Sequence, residues 1–291
     1  MTVLALDIGG TKVAGGLVDA GGRLLRQATR ATGDDPFASL SAVVGELEVG
    51  NVQGVGIGCA GPIDTVAGTV SPINIASWRE FPLVERVREL IGAPVVLAGD
   101  AVCVALGEHW VGAGQGSHAM LGMVVSTGVG GGLVLDGRPF GGLTGNAGHV
   151  GHVVVEPGGD ACTCGGRGCV ETVAAGPHLV RWARQRGWVG DDARDLAVSA
   201  HAGDPVAGEA FRRSGRAIGL AIVATAAVCD LDLAVVGGGV AQTGELLFGP
   251  VRDTLAVHAE LSFLRGLRVE PAKLGVAAGL YGAAALAYSL T

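Results

Sequence analysis

One histidine and three cysteines lie close together in the chain and could bind a metal ion. His152 is followed by Cys162, Cys164 and Cys169. An imidazole and three thiolates are four ligands, the number that a closed, tetrahedral, structural zinc site needs. The short loops between the cysteines would let one ion collect all three sulfurs, so the pattern predicts structural Zn²⁺. Buried free thiols are the alternative, and His149 is a rival ligand.

Two glycine-rich turns could bind phosphate. Asp7 begins the sequence DIGGTK at the end of a predicted strand, and Gly9 and Gly10 would let the backbone approach a phosphate closely. Thr11 adds a hydroxyl, and Asp7 could hold a water on Mg²⁺. A second turn, STGVGGG at 126–132, could bind the other side of the same phosphates. Either turn alone could be an ordinary β-hairpin, but the pair favours phosphate binding.

A carboxylate and a third glycine cluster complete the candidate chemistry. Asp100 lies where a predicted strand ends and a predicted helix begins, and a helix N-terminus favours the ionised form. An ionised carboxylate could accept the proton of a sugar hydroxyl as that hydroxyl attacks phosphorus. An ordinary N-cap aspartate is the alternative. Gly237, Gly238 and Gly239 could let an adenine ring lie against the backbone, although a strand-to-helix turn explains them as well.

The elements that must position these residues follow an α/β pattern that occurs twice. Strands are predicted at 3–6, 13–18, 23–29, 52–57, 93–98, 119–126, 131–135 and 233–236, with helices at 36–48, 84–91, 100–110, 174–229 and 274–290. The stretches LALDIGGTKVAGGLVD and MVVSTGVGGGLVLDG are both strand, glycine turn and strand. This weak repeat predicts two lobes with the same core, and a cleft between such lobes is the usual place for a small ligand. We expect a small lobe of residues 1–115 with the C-terminal helix 275–291, and a large lobe of residues 116–274 with the zinc cluster and most of the nucleotide site.

Composition excludes several classes of protein. The 291 residues are 49% hydrophobic and carry a net charge of −7, with no run of Lys and Arg, which argues against a nucleic-acid partner. The N-terminus lacks the positive region of a signal peptide, and the apolar stretch 220–228 is too short to span a bilayer. We therefore expect a cytoplasmic protein with no membrane partner. No P-loop motif occurs, and the GxGxxG at Gly56, Gly58 and Gly61 is followed by proline instead of a helix, which argues against dinucleotide binding.

Taken together, these residues resemble the ROK family of sugar kinases over essentially the whole chain. The motifs that carry the resemblance are DIGGTK at 7–12, GCAGPID at 58–64, PIN at 72–74, GDAVCVALGE at 99–108, STGVGGG at 126–132, AGHVGH at 147–152, CTCGGRGCVE at 162–171 and VVGGGV at 235–240. The resemblance implies a two-lobed actin-like (ribonuclease H-like) ATPase fold with an interlobe cleft, ATP and Mg²⁺ as cofactors, and often a homodimer.

The resemblance also implies a role for each site residue. Asp100 is expected to be the catalytic base, and Glu171 and His152 to reach sugar hydroxyls, with His152 favoured over His149 as the zinc ligand. The expected sugar-binding residues are Gly61, Asn74, Gly99, Asp100, His149, His152 and Glu171. The expected nucleotide-binding residues are Asp7, Gly9, Gly10, Thr11, Lys12, Thr127, Gly128, Gly237, Gly238 and Gly239.

Two positions depart from the family pattern. The family usually has Asn where this chain has Gly99, and Glu where it has His149, and both missing groups would contact hydroxyls around ring position 3 of the sugar. We expect transfer of the γ-phosphoryl of ATP to the 6-hydroxyl of a hexose, with glucose as the first candidate. A C3-variant or amino hexose such as allose, kanosamine or N-acetylmannosamine is one alternative. A sugar-binding regulator without turnover is another.

Overall fold

A computed structural model describes residues 1–290, which form two compact units. Of the described residues, the first unit contains 1–117, 132–148 and those from 273 onward, and the second contains 118–131 and 149–272. This division groups residues 132–148 with the first unit, whereas the sequence analysis placed them in the large lobe. The lobe boundaries stay a prediction.

The first unit contains a five-stranded sheet, and the candidate phosphate turn connects the first two of its strands. Its strands are β1 (Thr2–Ile8), β2 (Lys12–Asp19), β3 (Leu24–Ala31), β4 (Val55–Cys59) and β7 (Val95–Gly99), in the order β3-β2-β1-β4-β7. Strands β1, β2 and β3 form the predicted antiparallel meander, while β4 runs parallel to both β1 and β7. A small hairpin of β5 (Ile63–Asp64) and β6 (Thr69–Val70) lies outside this sheet.

The helices of the first unit are α1 (Pro36–Glu46), α2 (Leu83–Ile91), α3 (Asp100–Val111) and the C-terminal α9 (Ala278–Tyr288). Glycines allow α9 to pack closely on α3 and on the sheet. A Cβ on Gly282 of α9 would lie 1.6 Å from the carbonyl oxygen of Cys103 in α3, and one on Gly56 of β4 would lie 1.8 Å from that of Ala283. Because real Cβ contacts are never this short, Gly56 is explained by packing, which agrees with the argument against dinucleotide binding.

The second five-stranded sheet contains β8 (Ala119–Val125), β9 (Val129–Leu135), β10 (Arg138–Phe140), β11 (Leu233–Gly237) and β12 (Arg268–Pro271). Its order is β10-β9-β8-β11-β12, with β11 parallel to both of its neighbours. The helices of the second unit are α4 (Val170–Ala174), α5 (Gly176–Arg184), α6 (Ala193–His201), α7 (Pro205–Cys229) and α8 (Glu245–His258). Short 3-10 turns occur at Val150–His152, Ala241–Thr243 and Gly275–Ala277.

Most predicted elements occur within a few residues of their expected bounds, but α8 and the short strands β5, β6, β10 and β12 were missed. Helix α8 contains Pro250, a residue that normally ends a helix, so its sequence does not predict one. It is stabilised by packing, because a Cβ on Gly215 or Gly219 of α7 would lie within 2.7 Å of Pro250 or Thr254. Strand β12 is only four residues long and was also missed. Among residues 1–290 no helix is long and apolar enough to cross a membrane.

Candidate functional site

The four predicted metal ligands come together in the second unit. One ligand atom from each of His152, Cys162, Cys164 and Cys169 lies within 4.8 Å of all the others. The Nδ1 atom of His152 is 3.7 Å from Sγ of Cys162, and the sulfurs of Cys164 and Cys169 are also 3.7 Å apart. A tetrahedron with zinc–sulfur bonds of about 2.3 Å has edges of about 3.8 Å. The donor set and its spacing therefore fit structural zinc, and the rival His149 is not part of the cluster.

The local backbone explains how a short segment can gather three sulfurs. The N–H of Cys162 donates to Gly166 and that of Gly165 donates to Cys162, which folds the cysteines into a tight knuckle. Gly168 has φ of +68°, and a Cβ there would lie 1.6 Å from the carbonyl oxygen of Glu156. The Glu156 carboxylate accepts two hydrogen bonds from Arg213 of α7, at 3.1 and 2.7 Å, which holds this loop against the helix.

The first glycine turn closes the hairpin of β1 and β2. The N–H of Gly9 donates to the carbonyl of Lys12 at 2.9 Å, which closes the turn between β1 and β2. The side chains of Thr11 and Lys12 are exposed. A Cβ on Gly10 would lie 2.5 Å from Cβ of Asn74, so the predicted sugar ligand Asn74 packs directly on the turn.

Asp7 and Asp100 are two carboxylates of the first unit that affect each other. Burial, and to a lesser extent the negative charge of Asp100, raise the pKa of Asp7 to about 6, with Lys12 partly opposing the shift. Burial, together with these two carboxylates, also raises the pKa of the Cys59 and Cys103 thiols, so both stay protonated and serve as packing groups. A buried carboxylate beside a second one is a typical environment for a divalent cation.

Asp100 is exposed and is the first residue of α3, with Gly99 at the N-cap position. The ordinary N-cap alternative is therefore wrong for this residue. Its Oδ1 atom accepts a hydrogen bond of 2.7 Å from the N–H of Ala101, and the partial positive charge of the helix N-terminus favours the ionised form. A Cβ on Gly99 would meet nothing closer than Val102 at 3.7 Å, so there is room for a side chain beside Asp100.

Gly61 lies next to Asn74 in the same unit. Its carbonyl accepts the N–H of Ile73, the residue before Asn74, at 3.4 Å. The first unit therefore contains the predicted phosphate turn together with Gly61, Asn74, Gly99 and Asp100. The remaining predicted site residues belong to the second unit.

In the second unit, Glu171 lies against the second glycine turn. Its Oε2 accepts the N–H of Val129 at 3.1 Å, and a Cβ on Gly128 would lie 2.9 Å from the same oxygen. A Cβ on Gly151 would lie 2.0 Å from the carbonyl oxygen of Val129, so the segment that carries His152 packs on the other side of that residue. Val129, a residue of the second glycine turn, thus contacts both Glu171 and the segment that carries the metal ligand His152.

The ring of His149 lies near that of His152, outside the metal cluster. The two ring centroids are 6.3 Å apart and the rings are inclined by only 20°. His149 is exposed, whereas His152 is half-buried. The substituted position therefore presents an imidazole to solvent beside the metal ligand that is expected to contact the sugar.

A cavity of about 580 Å³ lies between the second glycine turn and the third glycine cluster, all within the second unit. Thr127 and Gly239 line it, as the sequence predicts for nucleotide-binding residues. Gly238 has φ of +94°, and a Cβ there would lie 2.4 Å from the carbonyl oxygen of Val125, so only glycine fits at this position. The volume is in the range of small-ligand sites.

Sequence reasoning missed most of the walls of this cavity. Residues along the length of α5, the residues that lead into and begin α6, and Val240 and Thr243 complete the lining. The only signal for them was a helix start after Gly176-Pro177 and after Asp192, whose side chain caps α6 by accepting the N–H groups of Arg194 and Asp195. Such caps are common at helix starts and do not indicate a ligand.

The geometry on both units agrees with a comparison to known proteins. A model of the ROK family matches residues 3–289. The chain belongs to the ROK family. The ROK family has the actin-like ATPase fold, so the predicted fold class is confirmed.

Two ROK kinases and one crystal structure of a ROK glucokinase are similar to this chain over most of its length. The glucokinase of Streptomyces coelicolor A3(2) is 35% identical over 306 residues, covering 98% of this chain and 96% of that protein. The N-acetylmannosamine kinase of Shigella flexneri is 37% identical over 246 residues, covering 82% and 84%. A crystal structure of a ROK family glucokinase from Streptomyces griseus in complex with glucose and AMPPNP is 36% identical, with a TM-score of 0.83 over 99% of this chain and 100% of that one.

Proposed function

We propose that this protein is an ATP-dependent hexose kinase that transfers the γ-phosphoryl group of ATP to the 6-hydroxyl of glucose. The observation that carries the proposal is a pair of interacting carboxylates in the first unit, Asp7 before the glycine turn and Asp100 at the start of α3. The full-length similarity to the Streptomyces coelicolor glucokinase supports glucose as the substrate. The Streptomyces griseus relative, whose structure contains glucose and AMPPNP, supports ATP as the phosphoryl donor.

Asp7 and the two glycine turns are proposed to bind the nucleotide and its cation. ATP with Mg²⁺ supplies the phosphoryl group and neutralises its charge. Asp7 would hold a water of the cation, and the turn with Gly9, Gly10, Thr11 and Lys12 would contact the phosphates. Thr127, Gly128 and the glycines at 237–239 would contact the nucleotide from the second unit, where the cavity of about 580 Å³ supports this assignment.

Asp100 is proposed to be the general base. Its place in the first turn of α3 favours the ionised carboxylate, which would accept the proton of the attacking hydroxyl. Gly61, Asn74, Glu171 and His152 would orient the sugar, since a correctly held hydroxyl lowers the entropic part of the barrier. The cluster of His152 with three cysteines would hold a structural zinc and with it the loop that leads to Glu171.

An amino or C3-variant hexose is a second candidate substrate. Gly99 and His149 stand where the family usually has Asn and Glu, and the Shigella flexneri relative is an N-acetylmannosamine kinase. A carboxylate only accepts hydrogen bonds, whereas a neutral imidazole can accept one and donate another, so His149 changes which group fits near ring position 3. The chain has also lost an amide at Gly99, which would weaken selection for an equatorial 3-hydroxyl.

A coupled ADP-release assay over a panel of hexoses tests both candidates. We expect wild-type turnover with glucose, and a fall of at least roughly 100-fold in kcat for Asp100→Asn with little change in thermal stability. Binding of sugar without ADP release in the wild type would support the non-catalytic regulator instead.

The substrate choice is tested with kcat/KM for glucose, 3-deoxyglucose, allose and N-acetylmannosamine. These values are compared between the wild type and Gly99→Asn/His149→Glu. The double variant should gain preference for glucose if the two positions set selectivity. A strong preference for glucose in both proteins would remove them from that role. The family resemblance also supports a cytoplasmic homodimer. Light scattering on the purified protein would test whether it is a dimer.

A further inference from the structure

Glu108 is a buried charged residue of the first unit that the proposed reaction does not use. It lies in the last turn of α3, and the residue is only 1% exposed. Glutamate is rarely buried to this degree unless it is paired or hydrogen-bonded, because the carboxylate loses its hydration. Its partners therefore indicate why the chain keeps a carboxylate at this position.

The carboxylate of Glu108 accepts hydrogen bonds from three backbone amides. Its Oε2 accepts from Ala113 at 2.9 Å, its Oε1 accepts from Leu274 at 2.8 Å, and the N–H of Lys273 lies 2.9 and 3.1 Å from the two oxygens. A Cβ on Gly112 would lie 2.1 Å from Oε2, so glycine at 112 is needed to make room for the carboxylate. One side chain thus holds two segments that are 160 residues apart in sequence.

These two segments lie at the first and the last of the four places where the chain crosses between the units, after residues 117, 131, 148 and 272. On the far side of the first crossing, within the second unit, Oδ1 of Asp232 accepts the N–H groups of His118 and Ala119 at 3.1 and 2.8 Å. A carboxylate therefore holds the backbone on each side of the first crossing.

The helices that Glu108 joins are the ones that contact the carboxylate pair. Helix α3 begins with Asp100, and Leu274 leads into α9, where a Cβ on Gly279 would lie 2.7 Å from the carboxylate of Asp7. We propose that Glu108 is a positioning residue that ties the C-terminal end of α3 to the segment that leads into α9, and so keeps Asp100 and Asp7 in place. The catalytic consequence rests on the proposed kinase function, whereas the anchoring itself does not.

Hydrogen exchange tests the anchoring without any assumption about activity. In Glu108→Gln the single carbonyl oxygen can serve either Ala113 or the pair Lys273 and Leu274, so one segment should exchange about 10-fold faster or more. In Glu108→Ala both segments should do so, while the amides inside α3 keep their rates. Unchanged exchange at both segments in Glu108→Gln would overturn the proposal. This variant alone is sufficient for the test if Glu108→Ala does not fold.

Steady-state kinetics separate positioning from simple stabilisation. The control is Leu106→Ala, which removes a buried side chain from the same helix and lowers stability without touching the connections. At a temperature where all proteins are folded, Glu108→Gln should change kcat and the sugar KM together, with kcat/KM lower by about 10-fold or more. Leu106→Ala should stay within about twofold of wild type. Equal kinetics in the two variants would make Glu108 a stability residue only, while an inactive wild type would contradict the proposed function and leave the exchange result to decide.

Discussion

Replacing Gly279 by alanine should impair catalysis while leaving the fold as stable as before. Gly279 lies in the first turn of α9 and faces the Asp7 carboxylate. A Cβ at this position would lie 2.7 Å from Oδ2 of Asp7, 2.9 Å from its Cγ and 3.2 Å from Oδ1. The methyl group would therefore overlap the carboxylate that is proposed to hold the water on Mg²⁺.

The size of the effect follows from this overlap. To restore ordinary van der Waals contact the carboxylate has to move by about 0.7 Å. A misplacement of about 1 Å in an active site can lower a rate by about 100-fold, so we expect a loss of roughly 10- to 100-fold in kcat. Alanine is favoured over glycine inside a helix by about 0.5–1 kcal/mol, which offsets the cost of moving one side chain.

The measurement is kcat by coupled ADP release, together with the midpoint of thermal unfolding. Gly45→Ala is the matched control, because Gly45 is also helical, in α1, and a Cβ there would meet no atom within 4 Å. This control should keep wild-type kcat. A Gly279→Ala variant with wild-type kcat would refute the role of the Asp7 position, and one that loses several degrees of stability would refute the packing argument.

Three further predictions concern the carboxylate and the metal cluster. The pKa of Asp7 is raised to about 6 in the folded protein, above its ordinary value of 3.8. Ionisation of Asp7 therefore lowers the free energy of unfolding progressively between pH 3.8 and about pH 6, fully above about pH 6, and not at all below 3.8. In thermal unfolding without nucleotide, Asp7→Asn should therefore be more stable than wild type at pH 8, with an advantage that disappears towards pH 4. The fall of kcat/KM at acidic pH should be centred near pH 6 at low Mg²⁺. It should move to lower pH as the Mg²⁺ concentration is raised, because the cation competes with the proton. A fall whose pH does not depend on Mg²⁺ would contradict this. Metal analysis should find one zinc per chain, and Cys164→Ser should lose it and unfold at a lower temperature, whereas Cys229→Ser, outside the cluster, should keep both.

The sequence predicts the local parts of this protein well, because they depend on residues near each other in the chain. The zinc ligands lie within 18 residues, so their spacing alone indicates that one ion could bind them, and the structure brings the same four residues together. The β-meander of β1, β2 and β3 is indicated by the apolar runs of β1 and β2 and by the glycine turns that separate the strands. In each case the physical constraint acts over a few residues and can be read directly.

The parts that the sequence does not predict depend on contacts between distant segments. Helix α8 forms despite Pro250 because glycines of α7 leave room for it. The sequence of neither helix alone indicates this packing. The anchoring by Glu108 joins residues 108 and 274, and no periodicity or motif relates these positions. The same limitation applies to the walls of the cavity beside Thr127, which come from α5, the start of α6 and the turn that contains Thr243.

The cost of burying Asp7 itself argues for a bound cation. A carboxylate whose pKa rises to about 6 by burial is less stable in the folded protein than in water at neutral pH, and the nearby Asp100 adds to that penalty. The surrounding residues do little to relieve it, since the charge of Lys12 opposes the shift only in part. A divalent ion at the glycine turn would reverse the sign of the local potential and make the ionised form the favoured one. The arrangement is therefore unfavourable for stability without a cation and favourable with one, which is the expected pattern when a residue is kept for function.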